Sequence, residues 1–212
     1  MAVVQASLDV IRSNPDELVS EQKQWLNNIG ESVESMATLV ESLLFLARID
    51  SQQHPINKKT FALDQAIANA VEPYKFLAET KKIILSVSLT PGMELYGDES
   101  RIKQVVCILL DNAIRHTPAD GEIKVLLQKI NRSAQLTVSD TGEGIPLEHL
   151  NKIFERFYQV DPSRNKGGTG LGLSIAKCIV EAHDGGIQAI SKMGLGTSFF
   201  VRLPIPTPHP LK

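Results

Sequence analysis

The stretch NKGGTGLGLSIAKCIVEAHDGG, residues 165–186, limits the choice of fold more than any other part of the chain. Glycines crowd its first half, an amphipathic helical period fills its second, and glycines close it. A glycine-rich turn that feeds a helix aims free backbone N–H groups and the positive helix end at one point, which suits a phosphate. The common phosphate cradles fail on spacing. A dinucleotide fingerprint needs glycines at i, i+2 and i+5, and none of 142–147, 167–175 or 194–199 supplies that triple. A P-loop needs GxxxxGK[ST]; counting from Gly167, Gly172 and Ser174 fit, but Leu173 stands where the phosphate-binding lysine belongs.

Composition narrows the partners. A formal net charge of −2 and a pI near 6.2 give no global attraction for nucleic acid, so nucleic-acid binding is not expected and any phosphate affinity is local. No run of about 20 apolar residues is present, so the expectation is a soluble, cytoplasmic chain, with a membrane anchor conceivable only elsewhere in a parent protein. Cys107 and Cys178 lie inside apolar helical patterns without metal or disulfide spacing. The histidines at 54, 116, 149, 183 and 209 are scattered and form no transition-metal cluster.

Two periodicities divide the chain. From Glu17 to about Gln52, Leu26, Ile29, Val33, Met36, Val40, Leu43 and Ala47 alternate three and four apart, which is a coiled-coil seam. A short apolar helix at about Ala2–Arg12 precedes it across a turn at Ser13, Asn14 and Pro15. The product is a lopsided helical hairpin that drives homo-oligomer formation. Because the short helix covers only the start of the long one, the half carrying Met36, Val40, Leu43 and Ala47 is expected to stay open and to pair with another chain, in a bundle that need not be the parental one. The polar, proline-bearing SQQHPINKKT ends this region, which gives a hairpin at 1–54, a main domain at 55–204 and a disordered tail at 205–212.

Beyond the boundary helical and alternating patterns mix. Asp64–Lys81 is helical with a kink expected at Pro73, Ile83–Leu89 alternates as a strand, and Glu99–His116 is a strongly apolar helix. Glu122–Lys129 and Ala134–Asp140 flank INRS as a hairpin; Gly170–His183 is helical; Gly186–Ser191 and Thr197–Leu203 make a last hairpin around KMGLG. These patterns predict an α+β fold: a two-layer α/β sandwich, with a mixed, largely antiparallel sheet and helices on one face.

Four further stretches complete the picture: LLDNAIRH at 109–116, DTGEGI at 140–145, FERFY at 154–158 and GLGT at 194–197. With the glycine loop they resemble, in order and spacing, the N, G1, F, G2 and G3 boxes of sensor histidine kinases. The resemblance covers nearly the whole chain, and LLFLARIDSQ resembles the exit of that family's dimerisation and phosphotransfer hairpin.

The resemblance implies an ATP site with Mg²⁺. Asp140 would accept a hydrogen bond from the adenine amine, and so select ATP over GTP, with Gly142, Gly144, Ile145 and Thr197 around the base. Asn112 would supply an oxygen to Mg²⁺, and Arg115 and His116 would lie near phosphate and ribose. Residues between Gly144 and Gly168 resemble an ATP lid, folded down by Phe154 and Phe157, with Arg156 or Lys166 meeting the γ-phosphate. Gly168, Thr169, Gly170, Leu171 and Gly172 would cradle the phosphates. The catalytic groups by resemblance are Arg115, Arg156 and Lys166. The implied partner is the receiver domain of a response regulator.

Two departures refine this. Related ATPases of the gyrase, chaperone and mismatch-repair type place a glutamate general base one helical turn before the metal-binding Asn; here that position is Ile108, which cannot take a proton. Histidine kinases commonly carry a second Asn there, so metal affinity is expected to be weak. The family's phosphoacceptor box, HE[LF]xxP, is expected just before an apolar stretch like AVVQASLDV, and none of the five histidines here has that context. The expectation is a chain competent for nucleotide and not for autophosphorylation. The alternatives are a regulatory module that holds ATP without transferring phosphate, and a superfamily ATPase, which Ile108 disfavours.

Overall fold

The computed structural model describes residues 2–13, 19, 22–30, 32–33, 36, 40, 44, 56–160 and 169–205. The chain forms two compact units, Met1–Gln53 and His54–Lys212. The first contains helix α1 (Ala2–Ser13) and further helical residues at 22–30, 32–33, 36, 40 and 44. Exposure there follows heptad position. Val19, Leu26, Val33 and Val40, spaced seven apart, are 72%, 43%, 54% and 52% exposed. Gln22, Ile29 and Met36, on the adjacent row, are covered or half-covered. This corrects the expectation that only the half from Met36 onward is open: one row is exposed along all the described turns, and Met36 belongs to the other row. Leu43, Ala47 and the expected turn at Asn14 and Pro15 lie outside the described residues.

The second unit begins with β1 (Lys59–Ala62) and α2 (Leu63–Thr80), then β2 (Ile84–Leu89), β3 (Glu94–Gly97) and α3 (Glu99–His116). Next come the hairpin β4 (Glu122–Ile130) and β5 (Ser133–Asp140), a single 3₁₀ turn at Leu147–His149, α4 (Gly172–Ala182), and the hairpin β6 (Gly186–Lys192) and β7 (Gly196–Pro204). Five strands form one sheet in the order β2-β4-β5-β7-β6, where only the β2–β4 pair is parallel. Strands β1 and β3 form a separate antiparallel pair that the sequence patterns did not predict.

Strand alternation sets the layers. Ile123, Val125 and Leu127 of β4, Leu136 and Val138 of β5, and Phe199, Val201 and Leu203 of β7 are buried on the inner face. Against it lie Ile67 and Val71 of α2, Ile102, Val106, Leu109 and Leu110 of α3, and Ile175, Ile179 and Val180 of α4. Helix α3 starts where its residues dictate: Asp98 is the cap, and its carboxylate accepts the Arg101 backbone N–H at 3.2 Å. It ends at Thr117, whose hydroxyl donates to the Ala113 carbonyl at 2.6 Å. Helix α2 runs unbroken through Pro73, and α4 begins two residues later than the pattern suggested, because Gly170 takes a left-handed φ of 70° that no helix continues.

Candidate nucleotide site

The site lies where α3, the end of β5 and the β6–β7 hairpin meet. Asp140 ends β5 opposite Thr197 of β7. Its Oδ1 accepts the backbone N–H of Gly142 at 2.8 Å and of Thr197 at 3.2 Å. Asp140 is 9% exposed and Thr197 6%. Burial holds the Asp140 carboxyl above the usual carboxylate range, against the pull of those two N–H donors and of His116. Both donors converge on one oxygen, so Oδ2 remains as an acceptor for a ligand.

The loop after Asp140 is fixed at several points. Ser191 Oγ accepts the Ile145 N–H at 2.7 Å, donates to the Gly196 carbonyl at 2.9 Å and lies 2.9 Å from Thr197 Oγ1. The Glu143 carbonyl accepts the Gly194 N–H at 2.8 Å, and the backbone at Gly144 lies against Lys192 and Met193. His116, at the end of α3, pairs through Nδ1 with Glu143 Oε1 at 2.8 Å. Gly196 has φ 101°, and a Cβ there would run into the Asp140 carbonyl, so the hairpin can approach the carboxylate's strand only with glycine at this position.

The phosphate end is more open. The Asn112 side-chain amide donates through Nδ2 to the Ile108 carbonyl at 2.8 Å, which leaves Oδ1 as an acceptor. Its neighbour Asp111 is engaged elsewhere, accepting the Tyr74 hydroxyl at 2.9 Å. Ile108 packs towards the start of α4, where a Cβ on Gly172 would sit 3.4 Å from it. Arg115 and His116 line an open cleft of about 390 Å³ together with Thr117, Pro118, Thr141, Gly142, Glu143 and Gly194. Asn112 and Asp140 do not line this cleft. Leu171 is buried ahead of α4, while Thr169 and Arg156 are exposed.

Phe154 packs edge-on against Phe199 with ring centroids 6.4 Å apart, and so anchors its segment to the sheet. Phe157 does not: it is 59% exposed at a φ of 64°, and its backbone rather than its ring meets Gly170. The expectation of two aromatic anchors is corrected to one, because the left-handed turn at Phe157 carries its ring away from the core. Lys166 and Gly168 lie outside the described residues. Among the described residues no cluster of His, Cys, Asp and Glu could hold a metal ion by itself.

Residues 97–207 match the family model described as "Histidine kinase-, DNA gyrase B-, and HSP90-like ATPase", which is more than half of the chain. The chain belongs to this ATPase family. Within it the similarity runs to sensor kinases. The chain is 30% identical over 201 residues to the phosphate regulon sensor protein PhoR of Pseudomonas aeruginosa, covering 94% of this chain and 45% of PhoR. It is 34% identical over 201 residues to the sensor protein SrrB of Staphylococcus aureus, covering 94% of this chain and 34% of SrrB. The chain therefore spans less than half the length of these curated relatives. The solved structure of the Acinetobacter baumannii histidine kinase AdeS superposes with a TM-score of 0.78 at 26% identity, covering 97% of this chain and 95% of that one. The histidine kinase ThkA, solved in complex with the response regulator protein TrrA, shares the fold at a TM-score of 0.73 and 22% identity, over 96% of this chain and 58% of that one.

The second unit is thus the ATP-binding catalytic domain of the sensor-kinase branch, and the α+β sandwich is that domain's fold. The motifs of the resemblance had implied Asp140, Gly142, Ile145 and Thr197 around one base, and the structure brings these four together. The motifs did not single out Ser191 or the Glu143–His116 pair. The signal for Ser191 lay in hairpin register, which sets it directly across from Thr197.

Proposed function

We propose that this chain binds Mg·ATP between α3, the 140–145 loop and the β6–β7 hairpin, and delivers the γ-phosphate to a histidine on a phosphoacceptor helix outside the residues given. The observation that carries this is the buried Asp140 carboxylate, braced on one oxygen by two backbone donors and left with an acceptor for the adenine amine. Guanine would set its O6 against that oxygen, acceptor to acceptor. Asn112 fits a cation brought in by the phosphates rather than one caged by protein, since its Oδ1 is a single hard oxygen with no metal-binding carboxylate cluster among the described residues. Bound there, Mg²⁺ would neutralise charge on the phosphates. Arg115 and Arg156, both exposed cations, and Lys166 supply the positive charge for the transferring group.

Incubation with labelled ATP tests the transfer. The chain alone is expected to take up no acid-labile label, whereas a supplied histidine phosphotransfer domain becomes labelled. Absence of label on that domain, with ATP bound, would favour a regulatory module that holds nucleotide without transferring phosphate.

The exposed row Val19, Leu26, Val33 and Val40 supports homodimerisation through the hairpin, because four apolar side chains in heptad register match a second copy of themselves. The receiver domain of a response regulator is the downstream partner. Sedimentation of the wild type and of Leu26→Glu/Val33→Glu tests the pairing: a dimer that becomes a monomer is expected, and a monomer in both rules it out.

A further inference from the structure

The hydroxyl of Ser191 is the one hydrogen-bonding hub of the base pocket that belongs to neither the glycine boxes nor the 140–145 loop. One proton assignment makes all three of its contacts hydrogen bonds. The Gly196 carbonyl has no hydrogen to give, so the 2.9 Å contact between it and Ser191 Oγ requires the serine proton. Ser191 Oγ then has only lone pairs left. One takes the Ile145 N–H at 2.7 Å, and the other faces Thr197 Oγ1 at 2.9 Å. That second contact is a hydrogen bond only if Thr197 is the donor. The chain of hydroxyls therefore runs one way, from Thr197 through Ser191 to the Gly196 carbonyl.

We propose that Ser191 is a specificity-positioning residue, which fixes the Thr197 hydroxyl as an acceptor towards the bound base. The proposal rests on the adenine pocket described above. Thr197 lies directly across the ladder from Asp140, and its own N–H donates to Asp140 Oδ1 at 3.2 Å. The buried wall of the pocket then offers two acceptors side by side, Asp140 Oδ2 and Thr197 Oγ1, and no hydroxyl proton. An exocyclic amine with two N–H groups satisfies such a wall, directly or through a water. A carbonyl oxygen at the same ring position does not, and leaves two buried acceptors unpaired. Were Ser191 absent, the Thr197 hydroxyl could rotate and donate to that carbonyl. Ser191 acts only through Thr197 and the loop, so its removal should change which base is preferred more than whether a nucleotide is held.

The test compares Mg·ATP with Mg·ITP, which carries a carbonyl in place of the amine, by calorimetry on wild type, Ser191→Ala, Ser191→Thr and Thr197→Val. A ratio of two dissociation constants on one preparation is insensitive to the fraction of protein folded. The wild type is expected to prefer ATP strongly. In Ser191→Ala the preference should shrink about threefold to tenfold, the range of one neutral hydrogen bond, while Ser191→Thr, which keeps the hydroxyl, retains it. Thr197→Val should shrink it as well, with the double variant no worse than either single one. An unchanged ratio in Ser191→Ala, with both affinities lowered equally, would overturn the proposal and leave the adenine pocket standing. Equal affinity of the wild type for ATP and ITP would overturn both.

Discussion

The two ends of the nucleotide site are built differently. At the base end Asp140 and Thr197 are under a tenth exposed, and backbone N–H groups hold them across a strand pair. At the phosphate end Asn112 is half-buried, and Arg115, Arg156, Phe157 and Thr169 face solvent. On the proposed reading, base recognition is preformed by backbone geometry, at the cost of a buried carboxylate. On the same proposal, phosphate recognition would use groups at the surface, so its energy would come from the anion and its cation. The proposed site thus assigns selectivity to the first end and chemistry to the second.

The largest test of that division is Asp140→Asn. Loss of a charged hydrogen bond costs roughly 1.5–3 kcal/mol, so Mg·ATP affinity should fall about tenfold to a hundredfold. The same change should leave the nucleotide-free protein as stable as the wild type or more so. Because burial raises the Asp140 carboxyl, the ionised form destabilises the folded state at pH above its titration, and the amide removes that charge. Calorimetry gives the first quantity and thermal melting the second. A variant that loses both binding and stability would mean that Asp140 is structural.

Next in size is Asn112→Ala, which addresses the phosphate end alone. Affinity for ATP in Mg²⁺ is expected to drop about tenfold, the equivalent of roughly 1.4 kcal/mol, while affinity in chelator stays within about twofold. An equal fall under both conditions would show that Asn112 supports the fold of the pocket, and would erase the proposed separation of the two ends.

What could be seen in the sequence follows the same division between local and long-range causes. The bounds of α3, Glu99–His116, are set by its own apolar period and by the Asp98 cap, so they were legible in full. So were the β4–β5 and β6–β7 hairpins, whose turns lie between their own strands. The β1–β3 pair was not legible, because four-residue strands separated by α2 and β2 carry no pattern until each finds the other. In the site, Asp140 and the glycines belong to short motifs and could be named at once. Ser191 depends on hairpin register, and the His116–Glu143 pair on α3 reaching the loop. Phe157 misled because FERFY gives both aromatics the same apolar weight, and only the backbone φ separates them.

The smallest expected effect concerns His183, a second buried titratable group that contrasts with Asp140. His183 is 3% exposed, and both of its ring nitrogens are used: Nδ1–H donates to the Ile179 carbonyl at 2.7 Å, and Nε2 accepts the Asp98 N–H at 2.9 Å. Neither ring nitrogen is left for a ligand, which marks it as structural, whereas Asp140 keeps Oδ2 for the proposed base contact. Burial lowers its titration below the ordinary value of 6.5, with Lys58 acting in the same direction and the Ile179 carbonyl, Asp98 and Asp184 opposing. A histidine whose folded value is lowered contributes stability that is fully present above its unfolded value and is lost as pH falls through the folded one. The His183 contribution to thermal melts of the nucleotide-free protein should therefore be flat from pH 8 to about 6.5 and decline below it, as the unfolded ring takes a proton that the folded ring, bonded through Nε2 to the Asp98 N–H, does not. His183→Gln should melt lower at neutral pH and lose less on acidification than the wild type, since it lacks the buried ring. An identical acid slope in the two proteins would show that burial of the ring does not shift its proton affinity, and the contrast between a fully bonded histidine and a carboxylate with one oxygen open would then have no energetic content.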